Sequence, residues 1–548
     1  MRLVSLREFA MMRLMDNITD KAGWDSKIVD ETIVSKWKLE ALASGAAQNA
    51  QITERMFNYC ISELRFKVES FARTGLVIAY DGNVVKSDTI VPDELRLALK
   101  SAAAPLERIP PNQRDWHPGS EDVVLDLVHP SLFPVVYGVT RILKNSTVTL
   151  DDCLGRCGEG ETLPVPPKGE QGSYLRLPYS TKFQWLPCQV DFGSEEGEVK
   201  ITSYINNLHP SRNKDLYEVV QKIIAKAMPL WNRTLGPLST APNQFDNGRI
   251  RFRAPEYGFY EDDDIPEDQM PARLVGEDDD AYGERFVEWA TTVLVLPEPQ
   301  NFSPEDINDG DENTLNLREE FAERGLQVIV KLANIHLTPE KPEYGGGSWH
   351  VEGQLNEHIC ATALYYYDCS NITDSRLAFR QQSSVMEADE NPGEQDNHEW
   401  LHAIFGCQNE GPSVQYIGDI LAKEGRMVTF PNILQHRVLP FKLADPTKPG
   451  HRNILALFLV DPHVQVISSA NVPCQRRDWW GEELERTRVF PIQLPLELKK
   501  EVVANVEDFP ISLEEAKRLR LELMEERKGY GAIQDKEFQS TTFNLCEH

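Results

Sequence analysis

The sequence predicts an α+β fold in which a barrel or jelly roll of short strands lies between a long helical N-terminal region and a helical C-terminal tail. Three observations lead there. Apolar residues recur at three- and four-residue spacing over most of the first 110 residues, strand-like runs rich in Val, Ile, Leu, Tyr and Phe alternate with polar turns from about 320 to 466, and helical spacing then returns. The 548 residues allow two to four domains at about 100–200 residues each, or one body with extensions.

Four regions follow in order. Residues 1–115 read as mainly helical, through IVDETIVSKWKLEALAS, TERMFNYCISELRFKVESF and VPDELRLALKSAAAPLERIP. Residues 116–318 are mixed α/β and are expected to pack on the barrel. They hold the strand-like FQWLPCQVDF and EVKITSYINNLHP and the amphipathic LYEVVQKIIAKAMPLWNRTL. Within this region 255–280 is acidic and Pro-containing, without EF-hand spacing, so an exposed loop is expected there and not a calcium site. Residues 319–466 carry six β segments: LQVIVKLANIHLT, ICATALYYYDCS, SRLAFRQ, RMVTFPN, HRVLPFKL and NILALFLVDP. Residues 467–548 form a helical extension, with Ser512 and Glu515 set as a capping box.

Charge narrows the function. The formal charge of −29, from 57 basic and 86 acidic residues, repels phosphate backbones and anionic lipid, so neither nucleic acid nor a membrane is expected as partner. The longest apolar runs are strand-length, short of the roughly 20 residues a span needs. The N-terminus has charges spaced through it where a secretory signal would be apolar, and nine cysteines at irregular spacing favour reduced thiols, so a cytoplasmic location is expected. The close pair Cys153 and Cys157 reads as a turn with two free thiols, since no second pair completes a zinc site.

The chemistry is concentrated in GGGSWHVEGQLNEHICATALYYYD. His350 and Glu352 are two apart, so on a strand their side chains share a face. His436, in GRMVTFPNILQHRVLPF, supplies a second imidazole, completing the two-His, one-carboxylate set that leaves positions open on Fe(II). Arg452 opens the next strand, and a hairpin at LADPTKPG is expected to return that strand beside the one carrying His436. A fixed guanidinium there could grip the distal carboxylate of 2-oxoglutarate.

Here the C-terminal half resembles the double-stranded β-helix of 2-oxoglutarate/Fe(II) oxygenases, with the glutamate form of their His-x-Asp/Glu…His motif and their downstream Arg. More of the chain, from about residue 60 to 490, resembles a large fungal family grouped under a domain of unknown function, through HPSLFPVVYGVTRIL, KFQWLPCQVDF, ITSYINNLHP, PLWNRTL, SWHVEGQLNEHICATALYYYD and FPNILQHRVLPF. The resemblance implies an Fe(II) dioxygenase with 2-oxoglutarate as cosubstrate. It would hydroxylate, desaturate or cyclise a small-molecule substrate, amino-acid-derived as a family-level expectation. It also points to Asn334 and Tyr344 as hydrogen-bonding groups for 2-oxoglutarate. Arg380 is a candidate contact for a substrate carboxylate, while His358, His451 and Arg437 read as structural. Two alternatives stand beside this: a cupin-like metalloenzyme that does not use 2-oxoglutarate, and a non-catalytic binding protein on the same scaffold.

Overall fold

The computed structural model describes residues 1–81, 83–167, 179–195, 197–239, 248–258, 270–290, 292–304, 315–385, 398–490, 494–506 and 509–545. The strands around the site, in chain order, are β1 (Val77–Tyr80), β2 (Val84–Ser87), β3 (Val124–Val128), β4 (Cys188–Phe192), β5 (Val199–Ile201), β6 (Leu326–Leu337), β7 (Ile359–Ser370), β8 (Arg376–Gln382), β9 (Val414–Leu421), β10 (Met427–Pro431), β11 (Gln435–Val438) and β12 (Gly450–Val460). The helices that matter are α1 (Leu6–Thr19), α2 (Glu54–Thr74), α3 (Asp93–Glu107), α4 (Lys214–Ser239) and α5 (Leu513–Phe538).

These strands pair antiparallel into a nine-stranded sheet, ordered β1-β2-β10-β7-β12-β6-β4-β5 with β3 also on β6, and a three-stranded sheet, β9-β8-β11. They are separate sheets, not one closed barrel. Both give residues to one core, where Leu364, Phe430 and Phe458 of the large sheet meet Leu377, Phe379 and Ile417 of the small one. The rings of Phe379 and Phe430 lie 5.1 Å apart. α1 and α2 close that core with Phe9, Met11, Met15 and Phe57. The opposite face of the large sheet is covered by Leu99 of α3 and Ile223 and Trp231 of α4. Burial on both faces explains why β6, β7 and β12 read as nearly continuous apolar runs.

The helical stretches form where the spacing and caps place them. Thr53 accepts from Met56 N–H at the start of α2, and Ser512 accepts from Glu515 N–H at the start of α5. The mainly helical N-terminal region also holds a hairpin, β1–β2, which extends the large sheet through β10. Its turn begins at Asp81 of an Asp-Gly pair, a strong hairpin signal that the surrounding helical periodicity hid. Of the acidic 255–280 stretch, 259–269 lies outside the described residues; 272–276 is exposed, and Asp279 and Asp280 form the first turn of a helix instead of a loop. Cys153 and Cys157 sit in turns as free thiols. Among the described residues no helix is long and apolar enough to cross a membrane.

Candidate metal centre

His350 and His436 are brought together by backbone. The glycine run before His350 lies against β11, Gly347 N–H donating to Val438 O at 2.9 Å. Gly346, at φ +89°, passes so close that a Cβ would meet Val438 O at 2.9 Å. His350 then exchanges two bonds with His436, N–H to O at 3.2 and 2.9 Å. Directly opposed residues share a face, and the two imidazole centroids are 4.4 Å apart. This single bridge differs from the expected strand: Glu352 sits in a bend beyond it.

What holds Glu352 is Asn432, in the Phe-Pro-Asn segment after β10. Its side chain accepts from Glu352 N–H at 2.8 Å and donates to Glu352 O at 2.9 Å and to Ile359 O at 3.0 Å. The carboxylate then reaches both rings, with Oε1 at 3.3 Å from His436 Nε2 and 3.8 Å from His350 Nε2. One donor atom from each of the three residues lies within 4.8 Å of the others. With His350 Nδ1–H donating to Ser348 O at 2.9 Å, Nε2 is left with its lone pair toward the carboxylate.

The surroundings are asymmetric. His436 has 4% of its side chain exposed and packs 4.6 Å from the Phe430 ring, whereas His350 has 43% exposed, so the site opens on the His350 side. Burial opposes ionisation of Glu352, yet the two imidazoles outweigh it and hold the carboxyl well below its ordinary range. Burial and the neighbouring His350 lower His436; burial also works against charge on His350, but Glu352 raises it. An ionised carboxylate beside a neutral imidazole is the form in which such side chains ligate a metal.

Arg452 comes from the other sheet. β12 lies between β7 and β6, and β11, which carries His436, belongs to the small sheet, so the expected hairpin neighbour relation does not hold. The chain after β11 instead crosses back to the large sheet, because β12 completes its ladders with Ile335 of β6 and Cys369 of β7 at Arg452. The side chain still points into the space between the sheets. It is 3% exposed, its guanidinium sits 5.6 Å from the Tyr366 ring and 5.3 Å from the Phe441 ring, and Nη1 donates to Ser375 Oγ at 2.6 Å. Nε is buried without a partner, and no described carboxylate pairs with it. Tyr344 stands beside this group, 5.3 Å from Phe441; burial raises its phenol and the Arg452 charge pulls it down.

Two expected site residues lie elsewhere. Asn334 is on the helix-covered face of β6, donating to Glu107 Oε1 at 2.6 Å and accepting from Tyr367 O–H at 3.1 Å. Arg380 opposes Gln435 on the outer face of the small sheet, away from His436, where it donates to Gln435 Oε1 at 2.7 Å, pairs with Asp535 of α5 and stacks on Trp349. Its charge is already met, so it is not a substrate contact in this arrangement. Arg437 stacks on the same Trp349 ring, and His451 pairs with Asp368 at 2.9 Å. Sequence reasoning missed the roles of Asn432 and Ser375. Asn432 was visible as the third residue of Phe-Pro-Asn; nothing local marks Ser375.

The family model described as "Protein of unknown function (DUF4246)" matches residues 54–483, and "Domain of unknown function DUF4246, N-terminal" matches residues 1–40. No curated protein matches. Among solved structures, a bsmA homolog from Methylobium petroleophilum PM1 is 13% identical at a TM-score of 0.18, over 31% of this chain and 57% of that one. IDO from Bacillus thuringiensis is 13% identical at 0.16, over 31% and 68%, and the vicilin from Solanum melongena is 11% identical at 0.12, over 40% and 53%. The chain thus spans little more than half of the bsmA homolog, and likenesses at these TM-scores carry no argument about fold or activity.

Proposed function

The chain belongs to the DUF4246 family, whose description states no activity, and from that premise we propose a non-haem Fe(II), 2-oxoglutarate-dependent oxygenase acting on a small molecule. The observation that carries the proposal is the convergence of His350, Glu352 and His436, distant in sequence, with their donor atoms within 4.8 Å. The two sheets facing one core support the double-stranded β-helix reading. Eight free thiols among the described residues suit a reducing, cytoplasmic location.

The residues fit the groups this function needs. Two imidazoles and a carboxylate would occupy one face of Fe(II) and leave the other open. Bound there, Fe(II) with 2-oxoglutarate would supply the O2-dependent oxidising power to hydroxylate, desaturate or cyclise the substrate, releasing succinate and CO2. Asn432 fixes the backbone from which Glu352 projects, and Phe430 and Phe379 keep water from the His436 side. Arg452 and Ser375 would receive the distal carboxylate of 2-oxoglutarate, with Tyr344 and Phe441 as walls. A buried guanidinium that meets a hydroxyl and no carboxylate among the described residues favours this over a cupin-like enzyme without 2-oxoglutarate, which has no anion to place there.

The test is to load the demetallated chain with Fe(II) anaerobically, add 2-oxoglutarate, and admit O2 with a metabolite extract while assaying succinate. Succinate formation should depend on both additions, and His436→Ala should lose iron and turnover together. A His436→Ala protein that keeps both would sink the assignment, and turnover without 2-oxoglutarate would move it to the cupin-like rival.

A further inference from the structure

The helix α5 is anchored on both flanks of the His350–Glu352 segment. On one flank Arg527 Nη2 donates at 2.6 Å to Oε1 of Glu357, in the excursion that follows Glu352. On the other, Asp535 pairs with Arg380, whose guanidinium lies 4.7 Å from the ring of Trp349, the residue before His350. From 527 to 535 a helix advances about 12 Å at 1.5 Å per residue. Gly531 stands midway, four residues from each anchor and so on the same side of the helix. A Cβ at Gly531 would meet no atom within 4 Å although the position is half-buried, whereas Gly529, equally open, is exposed. A helix held at both ends with empty space at its middle roofs a chamber.

We infer, on the function proposed above, that the substrate lies in this chamber between α5 and the open His350 side, that Gly531 sets the chamber's size, and that Arg527 receives an uncharged oxygen of the substrate, as in a carbonyl, amide or hydroxyl. The guanidinium of Arg527 lies 3.7 Å over the ring of Trp185, which stacks at 5.8 Å on Phe458 in the core shared by the two sheets. It therefore stands at the end of the space between the sheets into which His436 points. Its side chain is 14% exposed, and Nε and Nη1 are buried with no hydrogen-bond partner. Buried donors left unmet are unfavourable, and an oxygen acceptor satisfies them.

The class of acceptor follows from charge. Glu357, which also accepts from the Trp185 and Gln354 N–H groups at 2.7 and 2.6 Å, already balances the Arg527 cation. What Arg527 lacks is hydrogen bonding and not a counter-ion, the reverse of Arg452. Fe(II), Glu352, 2-oxoglutarate and Arg452 are together neutral, so a charged substrate end at Arg527 would be left uncompensated. Glycine inside a helix is less stable than alanine. At Gly531 the side-chain volume it forgoes is the volume left to a ligand.

The test loads the full-length chain with Co(II), whose visible spectrum reports molecules that reach the metal, with His436→Ala as the blank. The probes are imidazole and N-acetylhistamine, an imidazole that carries a neutral amide on a short tether. Wild type should bind N-acetylhistamine at least about tenfold more tightly than imidazole. Gly531→Leu replaces glycine with a better helix former, so it should fold, bind imidazole as wild type does and lose that preference. Arg527→Lys keeps a cation for Glu357 but not the spare guanidinium N–H groups, and should lose the preference too. Equal affinity for the two probes in wild type, or a preference that survives in either variant, overturns the inference and leaves the metal centre standing. A Gly531→Leu chain that does not fold, read by far-ultraviolet circular dichroism, overturns it as well, because the space is then filled. Absence of Co(II) binding that depends on His436 sinks the proposed function and this inference with it.

Discussion

Two buried arginines, Arg426 at the start of β10 and Arg452 in β12, are both almost wholly withdrawn from solvent, at 0% and 3% exposure. Their partners differ. Arg426 donates to Asp88 through Nε at 2.6 Å and Nη2 at 2.9 Å, reaches Asp20 at 2.8 Å and gives Nη1 to Leu421 O at 3.2 Å. Arg452 has one hydroxyl and two aromatic rings. A buried charge with a full set of partners fixes the fold; one without a counter-ion marks where a ligand's charge belongs.

The comparison breaks most visibly in stability. Arg426→Ala takes from Asp88 and Asp20 their buried guanidinium, leaving them only Lys423 and Lys86, and should cost about 3 kcal/mol, read as a denaturant midpoint shift at constant slope. Arg452→Ala should move that midpoint far less, because it orphans only the Ser375 hydroxyl and no buried charge. The loss should appear instead in 2-oxoglutarate affinity, weakened at least about tenfold, or ~1.4 kcal/mol, with iron stoichiometry intact. If Arg452→Ala unfolds the protein as Arg426→Ala does, the contrast is wrong.

Acid sharpens the same contrast. Burial would raise the Asp88 carboxyl, but its bonds to Arg426 and Lys423 bring it down to about 2. Since this lies below the unfolded value of about 3.9, the pair stabilises fully above that pH and its contribution is lost as pH falls toward 2. Melting curves from pH 5 to 2 should show a steeper decline for wild type than for Asp88→Asn. The smallest effect is expected at Arg380, whose pairing with Asp535 only docks α5 on the small sheet. Arg380→Ala should cost about 1 kcal/mol of stability and change 2-oxoglutarate affinity less than twofold. A large affinity change would return Arg380 to the site.

Much of this was legible in sequence. The runs that became β6, β7, β8, β10, β11 and β12 were readable because strand residues lie between turn residues, and Ser512 announced α5. The pairing of His350 with Glu352 and the choice of His436 followed from ligand types and spacing. What local pattern could not convey was which face of a strand is which. β6 is buried on both sides, so LQVIVKLANIHL carries no alternation to tell that Asn334 faces the helices. β8 does alternate, Phe379 in and Arg380 out, but only the ladder that puts His436 opposite Phe379 says which side is the site. The sheet that receives β12 is likewise a long-range choice, settled by ladders with β6 and β7 rather than by the turn before it. The hairpin β1–β2 went unread for a simpler reason, its strands being four residues each beside stronger helical signals; β9, eight residues long, was missed although its length is ordinary for a strand.

Asn432 binds both Glu352 and Ile359, and so it fastens the two ends of the excursion from 352 to 359. Inside that excursion Asn356 accepts from Ser180 N–H at 2.7 Å and donates to Ser180 O at 3.0 Å, and Glu357 accepts from Trp185 N–H at 2.7 Å. The excursion is therefore a buckle: its clasp is Asn432, its tongue is sewn into the 180–185 segment, and an insertion at 353–356 would pull on both and displace Glu352.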